Sequence, residues 1–219
     1  MSLTFPSSSR LGLDQISLTR LSTTRWAASL FLALALASLG CQGGVEFKGT
    51  AVEPPKPAGK LVGTNWNGER FSLDQLQGKV AMVFFGYTFC PDVCPFTLAK
   101  MKQVYDELGD EAKDFAVVFV SVDSQRDTVE KLADYVPGFD PRFYGLRLEP
   151  DELEQAVDSF DLTVQIGQPK DGPNTDSFYY VDHTGTYFLI DRQGRLRVTH
   201  PPNAKVENLL PDIEALLES

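Results

Sequence analysis

The chain has 219 residues, 42% of them hydrophobic, with 20 basic against 30 acidic side chains and a formal net charge of −10. That is enough apolar material for one domain with a proper core plus flanking segments. Residues 1–40 hold three arginines and one aspartate, a net +2, which leaves −12 on the rest. An acidic body of that kind excludes nonspecific binding to nucleic acid or anionic lipid, and leaves metal cations and basic protein surfaces as partners.

Residues 26–40 (WAASLFLALALASLG) are uncharged, follow Arg20 and Arg25, and end in small residues before Cys41. A basic start, a short apolar run and a small-residue end make an export signal. The run is shorter than the roughly 20 residues that span a bilayer comfortably. Residues 1–40 are therefore read as a signal peptide, with a retained membrane anchor as the alternative. Ala37-Ser38-Leu39-Gly40-Cys41 resembles the lipobox of bacterial lipoproteins, whose cysteine becomes the lipidated terminus, although its leucine stands closer to the cysteine than usual. The expectation is an exported lipoprotein, anchored at a membrane and facing the periplasm or the cell exterior.

Residues 42–60 shift to Gly, Pro and Lys, so 41–60 reads as a tether with no core of its own and 61–219 as the single domain. Asn67-Gly68 between short apolar pieces predicts a hairpin over 65–71, and 72–78 a short helical turn. Residues 80–85 (VAMVFF) and 115–122 (FAVVFVSV) are apolar runs, the second rich in β-branched residues, and read as buried strands. Helical spacing marks 95–109, 127–135, 151–160 and 206–217. Short strands are expected at 143–148, 179–181, 187–191 and 196–199, with Arg192-Gln193-Gly194 turning between the last two. A polar loop is expected at 167–177. Strand–helix–strand–helix, then an antiparallel pair and a last helix, describes an α/β fold with a mixed sheet flanked by helices.

Of three cysteines, Cys41 is spoken for by lipid, which leaves Cys90 and Cys94. One closely spaced pair is not a disulfide scaffold; it is chemistry. Gly86 ends the first strand, and Pro95 favours a helix start directly after Cys94. Both thiols therefore sit at a helix amino terminus, where unpaired N–H groups and the dipole predict depressed pKa values. Three residues separate them, one more than in a thioredoxin-type C-x-x-C. The longer loop allows the sulfurs to stand roughly 4 Å apart around a metal or to close to the ~2.05 Å of a disulfide. A metal needs a third ligand, and the chain has only His183 and His200, either of which also reads as an ordinary surface or capping histidine. Two thiolates with an imidazole suit copper, whereas structural zinc calls for a fourth protein ligand.

Phe85-Gly86-Tyr87-Thr88-Phe89-Cys90-Pro91-Asp92-Val93-Cys94-Pro95 resembles the signature loop of the Sco/SenC family, copper-binding proteins of cytochrome oxidase assembly. Val120-Ser121-Val122-Asp123 with Arg126-Asp127-Thr128, Asp140-Pro141-Arg142-Phe143 with Gly145-Leu146, and Asp182-His183 with Phe188-Leu189-Ile190-Asp191 and Gly194 resemble further blocks of that family. Ser124 stands where the family usually has proline, and Arg147-Leu148 where a small residue and a glycine are commoner. The resemblance covers about residues 61–218. It implies a thioredoxin-like fold with an added β-hairpin, and copper, as Cu(I) or Cu(II), held by Cys90, Cys94 and His183. It implies as partners a copper-accepting cytochrome c oxidase subunit, a thiol reductant or another copper chaperone, and the membrane through the amino-terminal anchor. Asp92 is read as orienting a thiol or a partner's lysine, or as a helix cap, and Asp123 as a residue behind the ligands or a turn residue. Two roles follow for the same dithiol: copper metallochaperone, or thiol–disulfide reductase keeping the acceptor's cysteines reduced. A thioredoxin-like peroxidase is the weaker third.

Overall fold

In the computed structural model, which describes residues 46–167 and 179–219, the two apolar runs pair in parallel at the centre of the sheet. They are β4 (Val80–Gly86) and β5 (Phe115–Ser121), buried on both faces and aligned from Val80↔Phe115 to Gly86↔Ser121. The signal or anchor of residues 1–40, Cys41, and most of the polar loop at 167–177 lie outside the described residues.

Around this pair the main sheet has eight strands in the order β1-β10-β9-β4-β5-β6-β2-β3. The edges are β1 (Thr50–Pro57) and the hairpin of β2 (Val62–Asn65) and β3 (Arg70–Ser72). Beside the central pair run β6 (Tyr144–Arg147), parallel to β5, and β9 (Tyr187–Ile190), antiparallel to β4. β10 (Arg195–His200) then pairs with β9. Alternation along β4 divides the core in two: Val80, Met82 and Phe84 enter one cluster, Ala81, Val83 and Phe85 the other. The first is covered by α1 (Val93–Leu108), α2 (Val129–Tyr135) and α4 (Val206–Leu217), through Leu98, Met101, Leu132, Leu209 and Ile213. The second is covered by α3 (Pro150–Phe160), through Ala156 and Phe160. No helix among the described residues is long and apolar enough to cross a membrane.

Two sequence expectations change. Residues 50–57, read as tether, form the edge strand β1, which pairs antiparallel with β10. Its side chains are mostly exposed, so burial left no apolar signature, and backbone hydrogen bonds hold it instead. The strand expected at 179–181 lies at Val181–His183 (β8) and pairs with β7 (Val164–Ile166), a strand the sequence did not suggest. These two form a separate two-stranded ribbon off the main sheet.

His200 is structural: it is buried, with Nε2 2.8 Å from Oδ2 of the buried Asp212 in α4. Asp212 also accepts the backbone N–H groups of Lys48 and Gly49 at 2.7 and 2.8 Å, so one carboxylate ties the entry to β1, the end of β10 and the last helix together. Burial, opposed by Asp212, holds His200 below the usual histidine pKa. Removing one member of a buried pair leaves the others unsatisfied. Asp212→Ala is expected to cost about 3 kcal/mol in urea unfolding; a loss under about 0.5 kcal/mol, as for an ordinary surface change, would show that the latch contributes little.

Candidate metal centre

The carboxyl ends of β4 and β5 stop at one level, and the chain leaving β4 at Gly86 turns directly into the cysteine loop. The turn is pinned from beneath. The buried carboxylate of Asp127 accepts the Thr88 amide at 2.9 Å, the Thr88 hydroxyl at 2.5 Å and the Ser121 hydroxyl at 2.6 Å. Its burial raises its pKa, against the lowering effect of those donors. The Cys90 amide donates to the carbonyl of Tyr87 at 3.2 Å. α1 then starts at Val93, two residues before Pro95. Asp92 sits exposed at the N-cap, and its side chain caps nothing.

Cys94 lies in the first turn of α1 and is 1% exposed; Cys90 is half-buried. Gly86 makes room for the pair. A Cβ on that residue would stand 2.6 Å from Cys94 Sγ and 2.7 Å from the Phe119 ring, so only glycine leaves the sulfur its place. Hydrogen bonding from the Cys94 side chain is the largest influence holding the Cys90 thiol down at about 5. Burial opposes it, and the backbone N–H groups of Asp92, Cys94 and Val93 help it. The same bond, with burial, pushes the Cys94 thiol far up. The expectation that both thiols are acidified is thus corrected. The helix start stabilises one thiolate, and a second negative charge in a buried position beside it is disfavoured, so Cys94 remains the proton donor.

His183 ends β8, with its ring edge-on to Tyr87 at 6.0 Å between centroids and 86° between planes. Its Nδ1 lies 3.1 Å from the Thr184 carbonyl; with the proton on Nδ1, that contact leaves Nε2 free as a metal-binding nitrogen. The structure brings Cys90 and Cys94 together and places His183 against the residue that begins their turn. Among the described residues, no three of His, Cys, Asp and Glu gather closely enough to hold a metal ion. The donor chemistry nevertheless suits copper: an ionised sulfur, a second sulfur beside it and an imidazole nearby.

Asp123 is fully buried at the end of β5. Its Oδ2 lies 2.5 Å from Arg126 Nε, and its Oδ1 accepts the Tyr179 hydroxyl at 2.7 Å. It meets the site through those two residues and through Ser121, whose hydroxyl accepts the Asp123 amide at 3.1 Å and donates to Asp127. Sequence reading missed Asp127, Arg126 and Tyr179 as parts of this site. Arg126-Asp127-Thr128 entered only as a family block at the turn after the second strand, with Asp127 opening a helix, whereas Arg126 and Asp127 are core residues 2% and 0% exposed.

The SCO1/SenC family model matches residues 53–218. Among curated proteins, the SCO2-like protein of Rickettsia prowazekii is 35% identical over 129 residues, 59% of this chain and 62% of that protein. The human mitochondrial SCO1 homolog is 38% identical over 133 residues, 60% of this chain and 43% of that protein. The chain therefore spans less than two thirds of either relative's length. Among solved structures, apo Sco1 of Thermus thermophilus is 36% identical with a TM-score of 0.70, over 80% of this chain and 99% of that one. ScoI of Bradyrhizobium japonicum, solved with copper bound, is 32% identical with a TM-score of 0.64, over 73% and 99%. These likenesses bear out the thioredoxin-like mixed sheet flanked by helices. A match running through the core strands, the cysteine loop and the histidine strand has one consequence: the chain belongs to the SCO1/SenC family.

Proposed function

We propose that this protein is a copper metallochaperone, exported and held at a membrane by its amino-terminal segment, that serves assembly of the binuclear copper centre of cytochrome c oxidase. Cys90, Cys94 and His183 are its copper ligands. The observation that carries this reading is the thiolate–thiol pair at the start of α1, seated against Gly86, with an imidazole on the neighbouring Tyr87 ring. Family membership supports the copper cargo and the oxidase acceptor. The surroundings support a protein partner. Phe89, Val93 and Phe96 flank the cysteines at 45%, 44% and 68% exposure, and apolar side chains beside a reactive site suit contact with another macromolecule. Transfer proceeds by ligand exchange, the acceptor's thiolates replacing these ligands one at a time.

The asymmetry of the two thiols supports the second role, reduction of an acceptor disulfide. The half-buried Cys90 thiolate attacks one acceptor sulfur, forming a mixed disulfide and releasing the other as a thiolate. Cys94 then loses its proton and attacks Cys90, which frees the second acceptor thiol and leaves the protein as a Cys90–Cys94 disulfide. Both roles use the same pair.

Titration of the reduced full chain with Cu(II), followed by absorption and spin resonance, tests the ligand set. One-to-one binding with a thiolate-to-copper charge-transfer band is expected. His183→Ala should weaken it by more than about 100-fold, beyond the 10–100-fold typical of a mere outer-shell partner. Unchanged affinity in that variant would remove His183 from the set. Alkylation of the metal-free reduced protein with iodoacetamide tests the order of the thiols. Cys90 should react first, at a rate level above pH 6 and falling as pH drops through about 5. Equal labelling of both cysteines, or a rate rising only through the ordinary thiol range of about 8.5, would overturn the assignment.

A further inference from the structure

Among the described residues, the β7–β8 ribbon that carries His183 shares no strand pairing with the main sheet. A two-stranded ribbon is marginal on its own, so side-chain contacts add to its short chain connections in setting where the imidazole stands. We propose that Arg126 is the positioning residue that does this, one buried guanidinium holding the cysteine loop and the histidine ribbon against each other. The inference rests on the copper reading above for its purpose, though not for its geometry.

Arg126 follows β5 and is 2% exposed. Its guanidinium carbon stands 3.4 Å from the centroid of the Tyr179 ring, and its Nη1 donates to the Tyr179 carbonyl at 3.0 Å. The Tyr179 hydroxyl in turn donates to Asp123, the carboxylate paired with Arg126 Nε. Tyr179 is thus gripped at its ring, its carbonyl and its hydroxyl, four residues before His183. On the other side the guanidinium lies 4.8 Å from the Phe89 ring and 5.6 Å from the Tyr87 ring, both in the cysteine loop. Tyr87 closes the circuit, since its ring meets His183 edge-on.

A simple core position would not favour this arrangement. Buried ion pairs are often replaced by apolar residues at no loss of stability, and Arg126 Nη2 is buried with no hydrogen-bond partner among the described residues. What an apolar side chain cannot supply is a flat cation touching both ligand-bearing segments while fixing a backbone carbonyl. Arg126→Lys keeps a charge for Asp123 and loses the flat face and the fork. Tyr179→Leu keeps the Arg126–Asp123 pair and removes the gripped ring.

The two histidines supply a metal-free readout in the full chain, labelled with 13C-histidine. His183 should show a ring-shifted Hε1 signal from Tyr87, and His200 reports the folded core. In both variants the His183 signal should move towards the solvent value while His200 stays in place. Cu(II) affinity should fall about 10- to 100-fold, the usual range for a partner behind the ligands. In a double-mutant cycle, Arg126→Lys should have no further effect on Cu(II) binding once His183 is alanine. An unmoved His183 signal in both variants, or an equal loss of Cu(II) binding with and without His183, would overturn the proposal. So would loss of the His200 signal in both, which would make the cluster a folding element. If the parent chain binds no copper, the copper reading fails, and the His183 signal decides the positioning role by itself.

Discussion

The parallel register of β4 and β5 is the constraint from which the site follows. Seven residue pairs lock the two strands, and the ladder continues one step further as the Val122 amide reaches the Gly86 carbonyl at 2.8 Å. Because the pairing is parallel, both chains leave the sheet at the same end. The β4 exit becomes the cysteine loop. The β5 exit becomes Asp123, Arg126 and Asp127, the buried charges that hold that loop. An antiparallel pair would have sent the two exits to opposite ends. Buried polar groups at this edge are acceptable because nearly every one is bonded: Asp127 by Thr88 and Ser121, Asp123 by Arg126 and Tyr179.

Within that frame, one residue's lack of a side chain decides the chemistry. Gly86 lets Cys94 approach the end of the strand, and α1 therefore begins close enough for three backbone N–H groups to serve Cys90. The two sulfurs then divide their roles. One takes the charge near the surface, and the other keeps a proton in the core. A symmetric pair of thiolates would repel, and a symmetric pair of thiols would neither bind metal nor attack a disulfide at neutral pH.

The sequence made the central strands, the four helices and the cysteine loop legible, because each has a strong period or a distinctive spacing. α4 was placed at its observed bounds by its apolar stripe. What escaped has a physical reason in each case. β1 (TAVEPPKP) carries prolines and exposed charges, so nothing in its pattern separates an edge strand from a linker. β7 is three residues long with two exposed, too short to show alternation. Arg126 and Asp127 were invisible as core residues because charged side chains are almost never fully buried unless paired, and beside their near partners Asp123 and Ser121 they depend on Tyr179 and Thr88, 53 and 39 positions away. Sequence position already favoured His183 over His200, and family resemblance singled it out. Burial against Asp212 is what separates them in space.

On the proposed reading, the unequal anchoring of the ligands bears on how cargo leaves. Cys94 sits in the first turn of a helix packed on the main core, and Cys90 is bonded to it through their side chains and to the helix start. His183 sits on a ribbon of three residue pairs that joins the body through short chain connections and side-chain packing, outside the main sheet's strand ladder. Local opening follows the weakest packing, so the ribbon opens before the helix does. A carrier whose least anchored ligand is the imidazole exposes a vacant position on copper while two sulfurs still hold it. An incoming thiolate, guided by the exposed Phe89, Val93 and Phe96, then meets a metal that is never free in solution. Had all three ligands been built into the central sheet, release would have required disrupting the core that the β4–β5 pair defines.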